Sequence, residues 1–293
     1  MVITAAQVRE LRDRTGAPMM DCKKALEAAN GDMTTAIDEL RKNSGIKADK
    51  KAGRIAAEGI IVVLKSTDGK RAIMIEINSE TDFVSRDQNF VSFANAVAKT
   101  VLDSNVTDVN ALLTLPLSGD THTVEEARKA LISKVGENIN IRRIAVAKST
   151  ATIGTYVHSN RIGVLVEIDT DNAELARDIA MHVAASKPLV LSPDDVSPEL
   201  VEKEKEIFKK QAAESGKPAE IIEKMISGRV KKFLDEVSLL GQPFVKDPNT
   251  QVSALLGKNR AKVISFVRFE VGEGIEKISE DFVEAVMSQV QGG

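Results

Sequence analysis

A plan of strand hairpin, helix and returning strand occurs twice in this sequence, and this repetition constrains the fold more than any other feature. The turn of the first hairpin carries Asp68-Gly69, a strong hairpin signal. A helix follows each hairpin, because apolar residues recur at helical spacing from Phe90 in the first copy and from Ala176 in the second. The strands are predicted at residues 59–65, 71–78 and 139–148 in the first copy, and at 153–159, 161–170 and 261–271 in the second. The sequence therefore predicts an α+β protein with a duplicated core and antiparallel sheets.

The two copies differ in the connection between hairpin and helix. Glu76 in the strand "IMIEIN" falls on Glu167 in "VLVEID", an offset of 91 residues, whereas Phe90 falls on Ala176, an offset of 86. The first copy therefore carries about five additional residues, and they lie within "ETDFVSRDQNF", residues 80–90. Because the second copy lacks them, we interpret this loop as an elaboration that the scaffold does not need.

Helical segments surround the duplicated core. A capping box formed by Thr4 and Gln7 begins a series of three short helices that should end near Lys42. The predicted organisation is a three-helix N-terminal module at residues 1–45, a basic linker at 46–58, core subdomain one at 59–150, core subdomain two at 151–190 and 240–272, an inserted helical hairpin at 191–239, and a C-terminal helical module at 273–293.

For two helical segments, the sequence is compatible with more than one role. The charged, helix-prone insertion is broken at "SGKP", residues 215–218, which predicts two antiparallel arms. It is either a self-contained hairpin with a solvated outer face or a protruding arm used for dimerisation or to hold a partner. A helix predicted at about residues 279–290 either docks on the core or binds a partner.

Composition excludes several classes of protein. Aromatic residues make up 3% of the chain, there is no Trp, and the formal net charge is −3, so neither base stacking nor a basic field indicates direct nucleic-acid binding. The single cysteine, Cys22, favours a reducing compartment. We find no apolar run long enough to span a membrane and no signal-peptide pattern, so the expected location is cytoplasmic.

Motifs for catalysis, metals and cofactors are not found. The chain has no phosphate-binding P-loop, and "VGEGIEK", residues 271–277, lacks the third glycine of the dinucleotide fingerprint. The histidines His122, His158 and His182 are far apart in the sequence, and His182 is expected in the core or an interface. Cys22 is expected to pack as a small apolar residue. We therefore predict neither a catalytic residue, nor a metal site, nor a cofactor bound by this chain itself.

The additional loop is the best candidate for a functional site. Glu80 and Asp82 form a conceivable carboxylate pair, but no nearby His or Lys supports acid–base catalysis. Residues 79–82 suit the cap of a short helical turn, and Phe83 and Val84 suit either the local core beneath it or an outward position. An exposed Phe beside an acid, in a loop that the fold does not need, is typical of a wedge that enters a partner.

Several long blocks resemble the elongation factor Ts family. These blocks are "TAAQVRELRDRTGAPMMDCKKALEAANGD", "TDFV", "GENINIRR", "IAMHVAASKP", "GQPFV" and "RFEVGEGIEK". The resemblance extends from Thr4 to about Val286, and residues 103–123 are its most divergent part.

The resemblance implies a guanine-nucleotide exchange factor for elongation factor Tu, without covalent chemistry. Its N-terminal module is ubiquitin-associated-like and contacts the partner, and its hairpin forms a homodimer or a two-plus-two complex in many members. GDP, GTP and Mg²⁺ belong to the partner. The implied Mg²⁺-displacing residues are Thr81, Asp82, Phe83 and Val84, and the implied further contacts are Met19, Met20, Lys23, His158 and Val245.

A scaffold protein is the alternative hypothesis. In that case the three-helix module binds peptides or ubiquitin-like surfaces, and the duplicated core is only structural. The two hypotheses differ in the loop, because a scaffold gives an exposed Phe83 no role.

Overall fold

The N-terminal module is a three-helix unit whose last helix is longer than predicted. The computed structural model describes residues 3–213 and 218–276, and the helix predicted near residues 279–290 lies outside them. Thr4 and Gln7 form the expected capping box. The third helix continues past Lys42 into the predicted linker, because Ala48 packs into the neighbouring core and the Lys51 ammonium reaches the Gly136 carbonyl. The helices are α1 (Ala5–Thr15), α2 (Met19–Ala28) and α3 (Met33–Lys51).

The first core unit packs helices against one face of an antiparallel three-stranded sheet in the order β1-β2-β3. Its strands are β1 (Glu58–Lys65), β2 (Arg71–Ser79) and β3 (Ile139–Lys148). Its helices are α4 (Asp82–Ser85), α5 (Gln88–Ser104), α6 (Val109–Leu113) and α7 (Val124–Val135). The apolar stripe of α5 that begins at Phe90 is buried against the sheet, as its periodicity predicts.

The second unit repeats this arrangement in the order β4-β5-β8. It consists of β4 (Thr152–His158), β5 (Ile162–Ile168), α8 (Ala173–Ser186) and β8 (Val263–Glu270). Inserted between α8 and β8 are a 3-10 turn (Pro193–Asp195), α9 (Pro198–Ala213), α10 (Ala219–Val237), β6 (Pro243–Phe244), β7 (Asp247–Gln251) and α11 (Val252–Lys258).

The duplication extends to the irregularities of the sheets. The middle strand of each unit carries a register shift at the same place, between Glu76 and Ile77 in β2 and between Glu167 and Ile168 in β5. The shared bulge supports the alignment of Glu76 with Glu167 that the sequence predicts. The α+β class with antiparallel sheets is therefore confirmed.

The two sheets pack face to face through a small apolar layer. Gly163 lies at the closest approach, where a Cβ atom would come within 2.5 Å of the Ile61 side chain and 2.6 Å of the Met74 sulfur. The Asn160 carbonyl in the β4–β5 turn also accepts a hydrogen bond from the Ile61 N–H, at 2.7 Å. The layer consists of Ile61, Ala72, Met74, Ile153, Leu165, Phe269 and Val271.

The inserted hairpin is formed by α9 and α10, which pack together and bury Ala212 and Ile226. Ile226 is not among the residues from which the sequence predicts the contact, which are Val201, Phe208 and Ala212 on one arm and Ile221, Ile222, Met225, Val230 and Phe233 on the other. Arg229 fixes the pairing, since it donates to Gln211 and lies 5.7 Å from the centre of the Phe208 ring. The dimerisation role of the hairpin stays a prediction. In the described part of the chain, no helix combines the length and apolar character that a membrane crossing requires.

Candidate functional site

The additional loop of the first unit contains the four-residue helix α4. Eight residues separate β2 from α5, whereas four separate β5 from α8. Thr81 is the N-cap of α4, and its hydroxyl accepts a hydrogen bond from the Val84 N–H at 3.4 Å. The extra length predicted from the sequence therefore corresponds to a capped helical turn that the second unit lacks.

The side chains of α4 divide into an anchored face and a free one. Val84 packs against the core of the first unit, and Ser85 is buried and donates to the Asp82 carbonyl. Phe83 points the other way and is 83% exposed, the highest value among the large hydrophobic residues described. Of the alternatives left open by the sequence, the helix cap is correct. Val84 belongs to the local core, and Phe83 does not.

The two carboxylates of the loop do not form a pair. Asp82 lies on the surface and accepts from Arg86 at 2.8 Å, so its charge is balanced within the same turn. Glu80 points inward, where its carboxylate accepts from the Asn138 N–H at 2.6 Å. This arrangement gives no support to acid–base catalysis by Glu80 and Asp82.

A second segment holds this loop in place, and sequence reasoning missed its role. The carboxylate of Glu137, in the turn between α7 and β3, accepts from the Thr81 N–H at 3.0 Å and from the Thr81 hydroxyl at 2.7 Å. The adjacent Asn138 N–H donates to Glu80, so the two segments exchange hydrogen bonds in both directions. Because 56 residues separate Glu137 from Thr81, no local pattern predicts the contact. The only signal was that Glu137 lies in the block "GENINIRR".

The candidate contacts Met19, Met20 and Lys23 lie together in the first turns of α2. Met19 is 51% exposed and Met20 is 61% exposed, and the Lys23 ammonium lies 3.8 Å from the Glu27 carboxylate. Lys134 of α7 connects this region with the loop side of the first unit. Its ammonium donates to Asn89 at the start of α5 and also lies against Gly16, just before α2. Lys134 thus links the turn that precedes α2 with the start of α5, the helix that follows the Phe83 turn.

His158 and Val245 lie beside one groove of the second unit. His158 is exposed at the end of β4, and its ring stacks on Tyr156 with centroids 6.4 Å apart. Tyr156 and Lys246, the neighbour of Val245, line the groove, which has a volume of about 570 Å³. The structure therefore brings these two predicted contacts into one region, while the Phe83 loop belongs to the other unit.

A buried histidine supports the Val245 side of this groove. His182 is fully buried on α8, as predicted, and its Nδ1 accepts from the Val245 N–H at 3.1 Å. Its Nε2 lies 2.9 Å from Oε1 of Gln242, which fixes Nε2 as the donor of a neutral ring. Burial lowers the pKa of His182, although the hydrogen bond to Gln242 opposes this. The ring is thus kept neutral and holds the backbone that presents Val245.

The described part of the chain contains no cluster of three or more His, Cys, Asp or Glu side chains suited to a metal ion. His122 pairs with Asp120, His158 is exposed and His182 is buried, so the three do not converge. Cys22 is buried in the core of the three-helix module, as expected from its neighbours.

The fold and the site define a duplicated α+β protein that displays apolar side chains on both core units and on a helical module. The family model described as Elongation factor TS matches residues 80–273. The chain is 58% identical to elongation factor Ts of Thioalkalivibrio sulfidiphilus (strain HL-EbGR7), with 100% of each chain covered. It is also 58% identical to that of Legionella pneumophila (strain Paris), covering 99% of each, and 56% identical to that of Coxiella burnetii (strain RSA 493 / Nine Mile phase I), covering 99% of this chain and 98% of that one. This chain belongs to the elongation factor Ts family.

Proposed function

We propose that this protein is a guanine-nucleotide exchange factor that binds elongation factor Tu and accelerates GDP release during translation. In this proposal α4 enters the partner, and Phe83 acts as a wedge near the nucleotide and its Mg²⁺. The observation that carries the proposal is the 83% exposed Phe83 on a helical turn that is otherwise anchored and that the duplicated scaffold does not need.

An exchange factor needs no reactive group of its own. It must bind the nucleotide-free partner more tightly than the GDP-bound partner, and by linkage GDP then binds the complex more weakly by the same factor. Burying a Phe side chain contributes roughly 1.5–3 kcal/mol, which corresponds to about 10- to 150-fold in an equilibrium constant. If this burial occurs only when the nucleotide site is open, Phe83 supplies a large share of the exchange effect.

Asp82 plays a secondary part in this proposal. In the free chain its carboxylate is paired with Arg86 on an exposed surface, where such pairs contribute little. Insertion would bring this carboxylate near the polar groups that bind Mg²⁺ in the partner, and it would compete for them. Thr81 acts by capping α4, and Val84 acts by fixing it to the core.

The remaining affinity comes from the other two surfaces. Met19, Met20 and Lys23 provide an adaptable patch, because methionine side chains adjust to irregular partners. His158 and Val245, which lie beside the groove of the second unit, provide a separate contact. Three spaced contacts would orient the chain so that α4 reaches the nucleotide site.

The test is the release of fluorescently labelled GDP from elongation factor Tu of the same organism. The wild-type chain should accelerate release, and Phe83→Ala should lower the maximal acceleration by at least tenfold, since the burial energy is lost. Ile264→Ala is a matched control, because it truncates a 52% exposed apolar side chain of β8 in the second unit. It should behave like the wild type.

The outcomes separate the hypotheses. If the wild-type chain binds the partner without accelerating release, the scaffold alternative replaces the exchange-factor proposal. If exchange is fast and Phe83→Ala matches the wild type, the family function stands and the wedge role of Phe83 is wrong.

A further inference from the structure

We infer that Glu137 is a positioning residue for the loop of residues 80–90. The turn of residues 136–138 keeps α4 and Phe83 in the inserting conformation before the partner binds. The inference rests on the proposed function for the role of Phe83. It goes beyond that function, because it attributes the ordering of α4 in the free chain to a carboxylate in a different segment.

A four-residue helix cannot be stable by itself. The first turn of a helix costs more conformational entropy than its one or two hydrogen bonds return, so α4 must be held by contacts outside it. Its C-terminal half is held by Val84 in the core and by buried Ser85. Its N-terminal end depends on Thr81, whose hydroxyl caps Val84 and at the same time donates to Glu137.

The Glu137 carboxylate satisfies both donors of Thr81. One oxygen accepts from the hydroxyl at 2.7 Å, and the other accepts from the backbone N–H at 3.0 Å. The hydroxyl hydrogen is thereby directed toward Glu137, which leaves a lone pair of the oxygen for the Val84 N–H. The carboxylate thus fixes both the entry of the chain into α4 and the orientation of its cap.

The same turn is fastened to the end of the N-terminal module. The Asn138 side chain donates to the Arg54 carbonyl at 2.8 Å, and the Lys51 ammonium donates to the Gly136 carbonyl. The Asn138 N–H completes the attachment by donating to Glu80 at 2.6 Å. Residues 136–138 therefore hold the Phe83 loop in a fixed relation to the segment that follows α3.

Pre-organisation explains why this matters for exchange. A loop that is disordered in the free chain must lose its conformational freedom when Phe83 enters the partner, and this loss weakens the inserted state. A loop that is already ordered avoids this loss. Removing Glu137 should therefore lower the rate at saturating factor more than it raises the concentration needed for half-saturation, because the other two contact surfaces remain intact.

The experiment compares Glu137→Ala with Glu126→Ala, a matched control at the other end of α7. Glu126 also accepts from the N–H of a threonine, Thr123, at 2.8 Å and from its hydroxyl at 3.1 Å, in this case through one oxygen, and Thr123 lies outside the Phe83 turn. With labelled GDP on elongation factor Tu, Glu137→Ala should lower the maximal release rate roughly tenfold, as expected for lost hydrogen bonds to a charged group. Glu126→Ala should leave that rate unchanged, and equal losses in both variants would overturn the inference.

A double variant tests whether Glu137 acts through Phe83. In a Phe83→Ala background, Glu137→Ala should cause no further loss, because the side chain that it positions is gone. A further tenfold loss would show that Glu137 acts by another route. Thr81→Ser, which keeps the hydroxyl, should retain most of the activity, whereas Thr81→Val should reproduce the Glu137→Ala defect.

A measurement on the free chain separates this inference from the proposed function. Amide hydrogen exchange at residues 81–86 should become roughly tenfold faster in Glu137→Ala and stay unchanged in Glu126→Ala. Unchanged protection in Glu137→Ala refutes the positioning role, whatever the GDP assay shows. Lost protection together with normal activity of Phe83→Ala supports the attachment of the loop by Glu137 and refutes the wedge instead.

Discussion

The two units of the core share one topology but use equivalent positions differently. Glu76 and Glu167 both precede the bulge of a central strand, yet the Glu76 side chain is fully buried and Glu167 is only half-buried. The Glu167 carboxylate accepts from the Ser265 hydroxyl at 3.5 Å. Glu76 instead accepts from the Gly272 N–H, Asn78 Nδ2, Arg142 Nη1 and Arg143 Nε. The first unit thus uses this position to fasten the segment that follows β8, whereas the second leaves it near the surface.

The helix of each unit lies on its sheet in a different way. Val62 of β1 pairs with Ile75 and Gly154 of β4 pairs with Val166, so the 91-residue offset makes Val62 and Gly154 equivalent. Val62 and Phe90 of α5 are large, whereas Gly154 and Ala176 of α8 are small. Gly154 permits such close packing that a Cβ atom there would lie 2.2 Å from the Ala176 carbonyl oxygen. In the second unit the helix therefore packs directly against the strand backbone, whereas in the first unit bulky side chains fill the space between helix and sheet. The first unit also carries α4 between its hairpin and its helix. The second unit therefore retains the basic plan, and the first unit is the copy with an added element.

The largest effect should come from Glu76→Gln compared with Glu167→Gln. Removing the buried charge takes the counter-charge from Arg142 and leaves Arg143 with only Glu273, at 3.5 Å, and breaking a buried pair costs about 3–5 kcal/mol. The half-buried Glu167 should change the free energy of unfolding by no more than about 0.5 kcal/mol. Urea denaturation of the two variants measures the difference, and similar losses would contradict the asymmetry.

The same carboxylate should give the first unit an acid-sensitive contribution. Burial raises the pKa of Glu76, but the hydrogen bonds from Gly272, Asn78 and Arg143 outweigh burial and hold the pKa below its ordinary value of 4.5. A lowered folded-state pKa adds stability that is complete above 4.5 and is lost as the pH falls below it. This part of the acid dependence should be missing from Glu76→Gln and present in Glu167→Gln.

Gly154→Ala should have the second largest effect. The added methyl group meets a carbonyl oxygen of α8, and the helix must move away from β4, at a cost of about 2–3 kcal/mol. Gly257→Ala in α11 is the matched control, because no atom lies within 4 Å of the added Cβ. It should stabilise the chain slightly, since alanine is the better helix former. Equal stability of the two variants in thermal unfolding would show that α8 has room to move.

The sequence predicts the repeated strands and helices of this molecule well, but it predicts poorly the contacts that join segments far apart in the chain. The sequence predicts the third strand of the first unit at residues 139–148, and the strand occupies Ile139–Lys148. The agreement arises because the alternation of apolar and polar residues along a strand is a local pattern. The end of α3 was predicted nine residues too early, since Ala48 and Lys51 extend the helix through contacts with a different unit. The loop length pointed to α4, but its attachment to Glu137 depends on residues far apart in the chain.

The smallest of the three stability effects should be a pH dependence caused by His182, a residue of the second unit's helix α8. His182 of α8 aligns with Ala96 of α5, so the first unit has no titrating group at this position. The lowered pKa means that the folded chain prefers the neutral ring, and stability is lost as the pH falls below the ordinary value of 6.5. Protonation of Nδ1 removes the acceptor for the Val245 N–H, a loss of about 1–2 kcal/mol for a buried donor.

Urea denaturation between pH 7.5 and 5 measures this dependence. His182→Gln should remove part of the loss of stability that the wild type shows over this range. His158→Gln should retain it, because His158 is an exposed residue of β4 and the acceptor of the Val245 N–H is His182. If His182→Gln loses stability with falling pH as steeply as the wild type, another group is responsible for the pH dependence, and protonation of His182 does not release the Val245 N–H.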